Sequence, residues 1–463
     1  MSAKKWSAQQ VAIFAWFISG LSNLVVRARA GTGKTTTIVE AVTRFLAAVS
    51  GKTVLLAAFN KKIADELNER LPVGAEAKTL SMKLKAMMPM IGKGCGVPPV
   101  DDIYEAIAIA DRFGINMDEE WENDGFTVEH LADAAIKMLM LGESHKDGTI
   151  DFDDMVWLPV RNGWARPRFD LVVIDEAQDM NATQILLAMA VKNKGGRIAV
   201  VGDDRQAIYG FRGADSGSID RLLVALKAEE MGLNTTYRCG TEIVREAKRL
   251  VPDFVAHEGN AKGIVRRTNI GLCVEEVQPK DFILSRTNAP LVSVCLHLLR
   301  MGKRANIEGR DVGRGLSAVV KKLNVGPARN DFSKFIARLD SWLNDGVAKA
   351  ALRGERGEAT IAKLLDQHET LVYLADGLTS GSELLARIDD LFADTKGKGN
   401  RVILSSVHKS KGLEADRVWL LEDTFFSRAK DCPPWADKSE EANIEYVAIT
   451  RAKAELVWVE GKL

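Results

Sequence analysis

The chain of 463 residues is 46% hydrophobic and 27% charged, which is an ordinary globular composition. Its length is too great for one hydrophobic core and predicts about two to four domains. Lysine plus arginine equals aspartate plus glutamate, 63 of each, so the formal net charge is zero. This excludes a protein that is basic throughout and counts mildly against nucleic-acid binding, although a local groove can still be basic.

The N-terminal segment has some features of a secretory signal, an interpretation that we reject. Lys4 and Lys5 precede an apolar run over 11–18, and Ala28-Arg29-Ala30 resembles a cleavage site. Polar residues and a glycine interrupt the run, however, and cleavage would destroy the loop described below. No stretch approaches the roughly 20 apolar residues that span a bilayer. We therefore predict a cytoplasmic protein without a membrane segment.

The cysteines agree with a reducing compartment. They are scattered singly, without any C-x-x-C spacing, which predicts neither a zinc site nor a disulfide framework. The five cysteines are Cys95, Cys239, Cys273, Cys295 and Cys432.

The first motif along the chain is the glycine-rich loop at residues 28–35, Ala-Arg-Ala-Gly-Thr-Gly-Lys-Thr. A strand-like run precedes it and a helix-prone run follows, the context that a phosphate-binding loop requires. Gly31 and Gly33 let successive backbone N–H groups point inward as an anion site. Lys34 is then expected to reach the β- and γ-phosphates and the Thr35 hydroxyl to bind Mg²⁺. The alternative is an ordinary glycine-rich turn.

Short apolar runs then alternate with helical patterns, which is typical of parallel α/β layers. Their near-continuous Val, Ile and Leu content predicts strands buried on both faces. The predicted strands are 24–26, 53–58, 171–174, 197–201, 282–285, 402–405, 418–421 and 456–459. Amphipathic helices are predicted over 61–71 and 241–250. Residues 86–146 and 306–396 lack this rhythm and predict two mainly helical insertions into a pair of α/β cores.

Two clustered carboxylates follow the predicted strand 171–174. Ligands bind at the C-terminal ends of parallel strands, where Asp175 and Glu176 stand. Asp175 is predicted to hold Mg²⁺, and Glu176 to orient and deprotonate the attacking water. A solvated acidic turn explains these residues equally well when they are taken alone. Together with the phosphate loop they predict a metal-dependent nucleoside triphosphatase.

A second polar loop follows the predicted strand 197–201. The uncharged amide of Gln206 is predicted to sense the terminal phosphate. Tyr209, Phe211 and Arg212 come next and predict a stacking platform for unpaired bases. The alternative is that the two rings belong to the core.

Further short motifs lie at 6–10, 57–62, 151–155, 234–238, 285–288, 406–414 and 446–452. Together with the motifs described above, and in the same order along nearly the whole chain, they resemble those of the superfamily 1 helicases of the UvrD/Rep type. The resemblance implies two RecA-like parallel-sheet motor domains, residues 1–85 with 147–235 and residues 236–305 with 397–463. The insertions are then 86–146 and a short one at 306–396. It also implies ATP and Mg²⁺ as cofactors, and single-stranded DNA and single-strand/duplex junctions as partners. Travel in the 3′ to 5′ direction and work with replication, repair or recombination proteins are further implications.

The resemblance assigns nucleotide roles residue by residue. Gln10 matches the glutamine that reads adenine, Tyr237 the ring that stacks on it, and Glu414 the contact to the sugar. Arg238 and Arg451 match the arginines that meet the γ-phosphate. The predicted ATP contacts are Gln10, Gly31, Thr32, Gly33, Lys34, Thr35, Thr36, Tyr237 and Glu414, and the metal ligands are Thr35 and Asp175. The predicted catalytic residues are Lys34, Asp175, Glu176, Gln206, Arg238 and Arg451.

A strand-binding set comes from the same resemblance. The predicted DNA contacts are Phe59, Asn60, Thr79, Tyr209, Phe211, Arg212, Arg286, Asn288 and His408. For Arg286 a structural ion pair is the alternative, and for His408 a buried polar position. The chain departs from the family after Thr79, where Leu80-Ser81 replaces the usual Phe-His.

Two other functions stay open. The short second insertion is compatible with a single-stranded-DNA-dependent ATPase that remodels protein–DNA complexes without processive unwinding. A P-loop signalling or scaffold protein is the third possibility, and it predicts ATP hydrolysis that is insensitive to DNA.

Overall fold

The structure, a computed structural model, describes residues 5–58, 61–79, 154–180, 182–208, 217–323, 332–351, 355–392, 400–429, 432–433 and 436–461. The chain divides into two units that interleave along the sequence. The first comprises Met1–Arg27, Lys34–Gly202 and Ile219–Gly232, and the second Ala28–Gly33, Asp203–Ser218 and Leu233–Leu463. No helix in the described part of the chain is long and apolar enough to cross a membrane.

The first unit is built on a six-stranded sheet with the order β3-β2-β4-β5-β1-β6. Its strands are β1 Leu24–Ala28, β2 Val54–Ala58, β3 Ala75–Thr79, β4 Phe169–Ile174, β5 Lys192–Gly202 and β6 Glu229–Leu233. The pairs β1–β5, β2–β3, β2–β4 and β4–β5 are parallel. Within the described residues, the accompanying helices are Ala8–Ser19, Lys34–Ala48, Lys61–Asn68, Asp154–Arg161, Ala182–Ala190 and Ser218–Ala225.

The second unit carries another six-stranded sheet, with the order β11-β12-β10-β13-β14-β9. Its strands are β9 Ile264–Asn269, β10 Phe282–Ser285, β11 Ala305–Glu308, β12 Val402–Ser406, β13 Ala415–Leu421 and β14 Ala452–Glu460. Each neighbouring pair in it is parallel. A separate short ladder joins β7 Thr235–Thr236 to β8 Val255–Ala256. The helices are Thr241–Ala247, Ile270–Glu276, Ala289–Arg300, Arg310–Leu323, Phe335–Ala351, Glu355–Ala375, Gly381–Leu391, Val407–Ser410 and Lys438–Ile449.

These two sheets confirm the predicted fold class of two parallel α/β domains. All the strands that the apolar runs predicted are present, with ends that differ by up to five residues. Four strands of the large sheets escaped prediction, and they are β3, β6, β9 and β11, the edge strands of the two sheets. Their sequences, AEAKT, EEMGL, IVRRTN and ANIE, are polar because an edge strand is not enclosed on both sides.

The helices of the predicted second insertion share a hydrophobic core with the second sheet. Side chains of four helices between β11 and β12 pack in one cluster with side chains of the strands β10, β12 and β13. The cluster includes Leu316, Phe335, Leu371 and Ile388 from the helices and Ile283, Leu404 and Trp419 from the strands. Residues 86–146, the predicted first insertion, lie outside the described residues. The domain boundaries given above stay a prediction.

Candidate nucleotide site

Two glycines in the left-handed region of backbone space shape the phosphate loop. Gly31 has a φ of 68° and Gly33 a φ of 80°, conformations that a residue with a Cβ adopts only at a cost. The loop follows β1, and the helix Lys34–Ala48 begins directly after Gly33. The backbone N–H groups of the first helical turn therefore come directly after the two glycines, an arrangement that is typical of anion sites.

In the first unit, the acidic end of β4 lies beside Lys34. Lys34 Nζ lies 3.4 Å from Glu176 Oε2, and Gln178 Nε2 donates to the same oxygen at 2.6 Å. Glu176 has a φ of 51° and a ψ of 44°, a left-handed conformation that is uncommon outside glycine and marks a constrained turn. Within this turn Glu176 N donates to Asp175 Oδ1 at 2.9 Å. The structure thus places Lys34, Asp175 and Glu176 close together, and their catalytic roles stay a prediction.

Burial sets the electrostatics of Asp175, which is 3% exposed. This burial and the negative charge of Glu176 raise the pKa of Asp175 to about 7, while Lys34 and the Glu176 N–H bond act in the opposite direction. Mg²⁺ in nucleotide sites takes one or two protein oxygens, with phosphate oxygens and waters completing its shell. The Thr35 hydroxyl and the Asp175 carboxylate carry oxygen ligands of this kind. The residues present therefore fit the metal that the sequence predicts.

Gln10 has a structural position in the first unit. Its Oε1 accepts from Ser7 N at 3.0 Å, and Ser7 Oγ accepts from Gln10 N at 3.2 Å, which forms a capping box at the start of the helix Ala8–Ser19. Gln10 Nε2 donates to Thr37 Oγ1 at 2.9 Å. The side chain therefore ties the first helix to the helix that follows the phosphate loop. Contact with adenine stays a prediction.

In the second unit, Arg238 and Glu414 form an ion pair. Arg238 Nε lies 2.6 Å from Glu414 Oε2, and Lys453 Nζ lies 2.7 Å from Glu414 Oε1. Burial raises the pKa of Glu414, but Lys453 and Arg238 outweigh this effect and bring the pKa below its ordinary value. Gly31 lies against Arg238, because a Cβ added at Gly31 would stand 2.6 Å from Arg238 Cβ. These three predicted nucleotide contacts are therefore neighbours.

Arg451 is almost completely buried, with 2% of its surface exposed. Its guanidinium donates to Val447 O at 3.0 Å, to Leu413 O at 3.1 Å and to Thr450 Oγ1 at 3.3 Å, all neutral oxygens. Burial, and next the positive charge of Arg238, lower the pKa of Arg451 to about 10. The guanidinium therefore stays protonated at neutral pH, held in place by oxygens that do not cancel its charge.

Tyr237 exposes an aromatic ring beside His257. The tyrosine is 42% exposed, and the two ring centroids lie 4.8 Å apart with planes tilted by 37°. The backbone fixes this arrangement, since Tyr237 N donates to Gly31 O at 2.9 Å and His257 N donates to Thr236 O at 3.0 Å. An exposed ring on a fixed backbone suits stacking on a base.

Two predicted DNA contacts are engaged with carboxylates inside the second unit. Arg286 makes a two-pronged pair with the buried Glu441, at 2.7 Å from Nη2 to Oε1 and 3.0 Å from Nε to Oε2. Asn288 Nδ2 donates to Asp366 Oδ2 at 2.9 Å, and the backbone N–H groups of Asn288 and Ala289 donate to Asp366 Oδ1 at 2.9 Å. Both geometries are sufficient for a structural role, and DNA contact stays a prediction for both residues.

The ring of His408 is neutral in this fold. Burial, and next the positive charge of Arg286, lower the pKa of His408 to about 3, while a hydrogen bond to the Ile208 backbone acts in the opposite direction. A neutral ring can meet a DNA phosphate only as a hydrogen-bond donor. Phe59, Asn60, Tyr209, Phe211 and Arg212 lie outside the described residues, and of Thr79 only the backbone is described, at the end of β3.

The sequence reasoning missed the contacts of the helix Lys438–Ile449. The Tyr446 hydroxyl accepts from Ala30 N in the phosphate loop at 3.1 Å. Asn443 Nδ2 donates to Ala207 O at 3.1 Å, next to Gln206. The hydroxyl of Tyr446, at the start of the short apolar segment 446–449, was the available signal, but its partner lies 416 residues away in the sequence.

Comparison with known proteins identifies two family models in the chain. The model of an AAA domain matches residues 9–212, and the model of a UvrD-like helicase C-terminal domain matches residues 360–460. The first covers the phosphate loop, Asp175, Glu176 and Gln206, and the second covers Glu414 and Arg451.

Three proteins to which the chain is similar are named DNA helicases. The F-box DNA helicase protein 1 of Schizosaccharomyces pombe is 28% identical over 333 residues, which cover 63% of this chain and 34% of that protein. The ATP-dependent DNA helicase Rep of Escherichia coli is 26% identical over 280 residues, 49% of this chain and 41% of that protein. DNA helicase II of Haemophilus influenzae is 38% identical over 84 residues, 18% of this chain and 12% of that protein. The matches thus span less than half the length of these relatives.

Proposed function

The chain belongs to the superfamily 1 helicases of the UvrD/Rep type, and on this premise we propose that it is an ATP-driven motor that moves along single-stranded DNA and separates duplex DNA. The observation that carries the proposal is the pairing of Lys34 with Glu176, next to the buried Asp175, at the C-terminal end of β4. Phosphoryl transfer to water requires a cation that binds the phosphates, a carboxylate that binds the metal and a second carboxylate that orients the water.

We assign the parts of the reaction to this chain as follows. Lys34 neutralises the β- and γ-phosphates, Asp175 and Thr35 hold Mg²⁺, and Glu176 orients the attacking water and accepts its proton. Mg²⁺ supplies charge neutralisation of the phosphate oxygens when it is bound. The remaining nucleotide contacts are those that the family pattern assigns, with Gln10 and Tyr237 at the base, Glu414 at the sugar and Gln206 at the terminal phosphate.

Arg238 and Arg451 are proposed to stabilise the charge on the transferring phosphoryl group. Arg451 suits this role because its protonated guanidinium is oriented by neutral oxygens. Such arginines contribute about 10³ to 10⁵ in rate in other phosphoryl-transfer enzymes. Hydrolysis removes the group that both arginines contact, and we propose that this release drives the movement along the strand.

For the strand we propose the predicted contacts Phe59, Asn60, Thr79, Tyr209, Phe211, Arg212, Arg286, Asn288 and His408. Stacking on an aromatic ring is worth roughly 1 to 3 kcal/mol per base and does not depend on base identity. The motor would thus bind any sequence. Travel from 3′ to 5′, junction binding, a place in the cytoplasm or nucleoid and work alongside replication or recombination proteins belong to the same proposal.

The deciding experiment measures ATP hydrolysis without nucleic acid, with single-stranded DNA and with single-stranded RNA, followed by single-turnover unwinding of duplexes with a 3′ or a 5′ tail. We expect DNA to stimulate hydrolysis and a 3′ tail to be required for unwinding. Stimulation without unwinding would favour the remodelling ATPase, whose motivation is the short second insertion. Hydrolysis that DNA does not change would contradict the motor and favour a P-loop protein without a nucleic-acid partner.

A further inference from the structure

Arg29, the second residue of the phosphate loop, has a buried guanidinium surrounded by three carboxylates. It is 7% exposed. Nη1 lies 3.0 Å from Asp203 Oδ1 and 2.7 Å from Asp204 Oδ1, and Nε lies 3.0 Å from Asp253 Oδ2. A phosphate-binding loop places no requirement on the residue at this position. Phosphate binding by itself therefore does not explain why an arginine is buried here.

Asp203 connects Arg29 to Gln206. Its carboxylate is fully buried, with Oδ1 accepting from Arg29 Nη1 at 3.0 Å and Oδ2 accepting from Gln206 Nε2 at 2.7 Å. Because each oxygen holds a different partner, the carboxylate cannot rotate without breaking a hydrogen bond. This fixes the Gln206 amide with its NH₂ group toward Asp203 and its Oε1 turned away.

The charge balance shows that Arg29 has to be ionised here. Burial by itself lowers the pKa of Arg29, but the charges of Asp203 and Asp204 and the hydrogen bond to Asp253 outweigh it and hold the pKa above its ordinary value. Buried ion pairs of this kind add little stability compared with apolar packing. The three carboxylates around Arg29 are therefore better explained by the fixed orientation that they give to the neighbouring side chains than by a gain in stability.

We propose that Arg29 is a positioning residue that, through Asp203, fixes the orientation of Gln206 and so couples the phosphate loop to the group that distinguishes ATP from ADP. This rests on the proposed function in two respects, nucleotide binding at the loop and Gln206 as the sensor of the terminal phosphate. Arg29 itself touches neither nucleotide nor metal in this proposal.

The first test compares Asp203→Asn with Asp204→Asn. Both replacements are isosteric, remove one charge beside Arg29 Nη1 and leave an oxygen for it. In Asp203→Asn, however, an NH₂ group can replace the oxygen that Gln206 Nε2 meets, and two donors would then force the Gln206 amide to turn over. The readout is the dissociation constant of a non-hydrolysable ATP analogue relative to that of ADP, both with Mg²⁺. Thermal unfolding confirms that each variant is folded.

We expect Asp203→Asn to lower the preference for the ATP analogue over ADP by about 10-fold, the order of one hydrogen bond to a charged group. Asp204→Asn should leave it within about 2-fold. An equal loss in both variants would assign the effect to the lost charge and overturn the proposal. An unchanged preference in a folded Asp203→Asn protein would also overturn it.

The second test uses Arg29→Lys, which keeps the charge but replaces the planar fork by a single ammonium. Arg29→Lys should lower the preference for the ATP analogue over ADP. The double variant with Asp203→Asn should lose no more of this preference than Asp203→Asn alone, because both residues act on Gln206 through the same hydrogen bonds. Arg27→Lys is the matched control, an arginine two residues earlier that pairs with the exposed Asp220 and Glu230. Additive losses would contradict the connection.

These tests measure only nucleotide binding, so their outcome is independent of the test of the motor function. A wild-type protein that binds the analogue but shows no DNA-stimulated hydrolysis would refute the motor and leave the role of Arg29 to be decided by the variants. A wild-type protein without any preference for the analogue over ADP would overturn the role of Arg29, whatever DNA does to its hydrolysis.

Discussion

Lys34 is the residue on which the proposed chemistry depends most directly, because its ammonium is the cation next to the carboxylates of β4. We expect Lys34→Ala to lower DNA-stimulated ATP turnover by at least about 100-fold, since it removes charge stabilisation from the transition state. The fold should survive, because an alanine fits the first turn of a helix.

Phosphate release under saturating ATP measures this effect, and circular dichroism measures the fold. The control is Lys52→Ala, which removes a half-exposed ion pair with Asp170 in the same unit and should leave turnover unchanged. DNA-stimulated hydrolysis that persists in Lys34→Ala would contradict the assignment of the phosphate loop.

His408 predicts a pH dependence of stability. Its folded pKa, about 3, lies below the ordinary value of 6.5, so between these values the unfolded chain binds a proton that the folded protein excludes. The free energy of unfolding therefore falls as the pH drops below 6.5. At pH 5 this loss is about 1 to 2 kcal/mol, allowing for a ring that is only half-buried.

We expect His408→Gln to lose less stability than the wild type between pH 7 and pH 5, by that amount, because it lacks the titrating ring. Urea unfolding at the two pH values measures the difference, and the other titrating groups cancel because both proteins contain them. Parallel losses in the two proteins would show that His408 is protonated in the folded state.

Among the elements, the phosphate loop has a backbone shape that tolerates little change at Gly31. Gly31 and Gly51 both have positive φ, at 68° and 77°, but a Cβ at Gly31 would meet Arg238 Cβ and Thr236 Oγ1 at 2.6 Å, whereas a Cβ at Gly51 meets nothing within 4 Å. Gly51→Ala should therefore cost only the backbone conformation, about 1 kcal/mol.

Gly31→Ala carries the same backbone cost and the steric clash in addition, so we expect nucleotide affinity to fall at least about 10-fold while Gly51→Ala leaves it unchanged. Titration of each variant with ATP and Mg²⁺ provides the measurement. Equal affinities in both variants would show that the loop can move away from Arg238 without loss.

The helix Ala289–Arg300 begins at a cap that another helix supplies. Asp366, in the helix Glu355–Ala375, accepts from two backbone N–H groups and one side chain at this end. We expect Asp366→Ala to lower the free energy of unfolding by about 1 to 2 kcal/mol, because it leaves these donors without the carboxylate.

Asp376→Ala is the matched control, in the turn after the same helix, where the Asp376 side chain pairs with Arg300 while both are about 70% exposed (72% and 69%). It should cost no more than about 0.5 kcal/mol. Urea unfolding of the two variants gives the comparison, and a cost for Asp376→Ala as large as that for Asp366→Ala would mean that the cap contributes nothing special.

At the scale of the whole molecule, the neutral net charge makes the salt dependence of DNA binding informative. A protein with 63 basic and 63 acidic residues has no general attraction to DNA, so the proposed DNA binding would have to come from a few local phosphate contacts. With about three to five such contacts, the slope of log K against log salt should be about −2 to −3.5. The fluorescence anisotropy of a labelled oligothymidine, titrated at salt concentrations between about 50 and 300 mM, measures this slope. Over that range the Debye length falls from about 14 to about 6 Å. A slope near zero would contradict binding through ionic contacts with DNA phosphates.

The apolar strands illustrate how far local pattern reaches. Buried strands such as Phe282–Ser285 follow from their own composition, because a parallel strand covered on both faces has to be apolar throughout. The edge strands do not follow in this way: Ala305–Glu308 is a strand only because Val402–Ser406 lies beside it. Pairing of this kind is a property of the sheet and leaves little trace in the strand itself.

The sequence alone determined the chemical inventory of this protein: a loop that two glycines bend, a lysine and a threonine at its end, and two carboxylates after an apolar strand. Local constraints on backbone conformation and burial are written into a few consecutive residues, so they can be recognised without a fold. Only the tertiary structure decided which side chains serve as partners. The contact of Tyr446 with Ala30, the cap by Asp366 and the carboxylates around Arg29 each join residues more than 70 positions apart, and the free energy of such contacts depends on distances that chain folding sets and that no local pattern encodes.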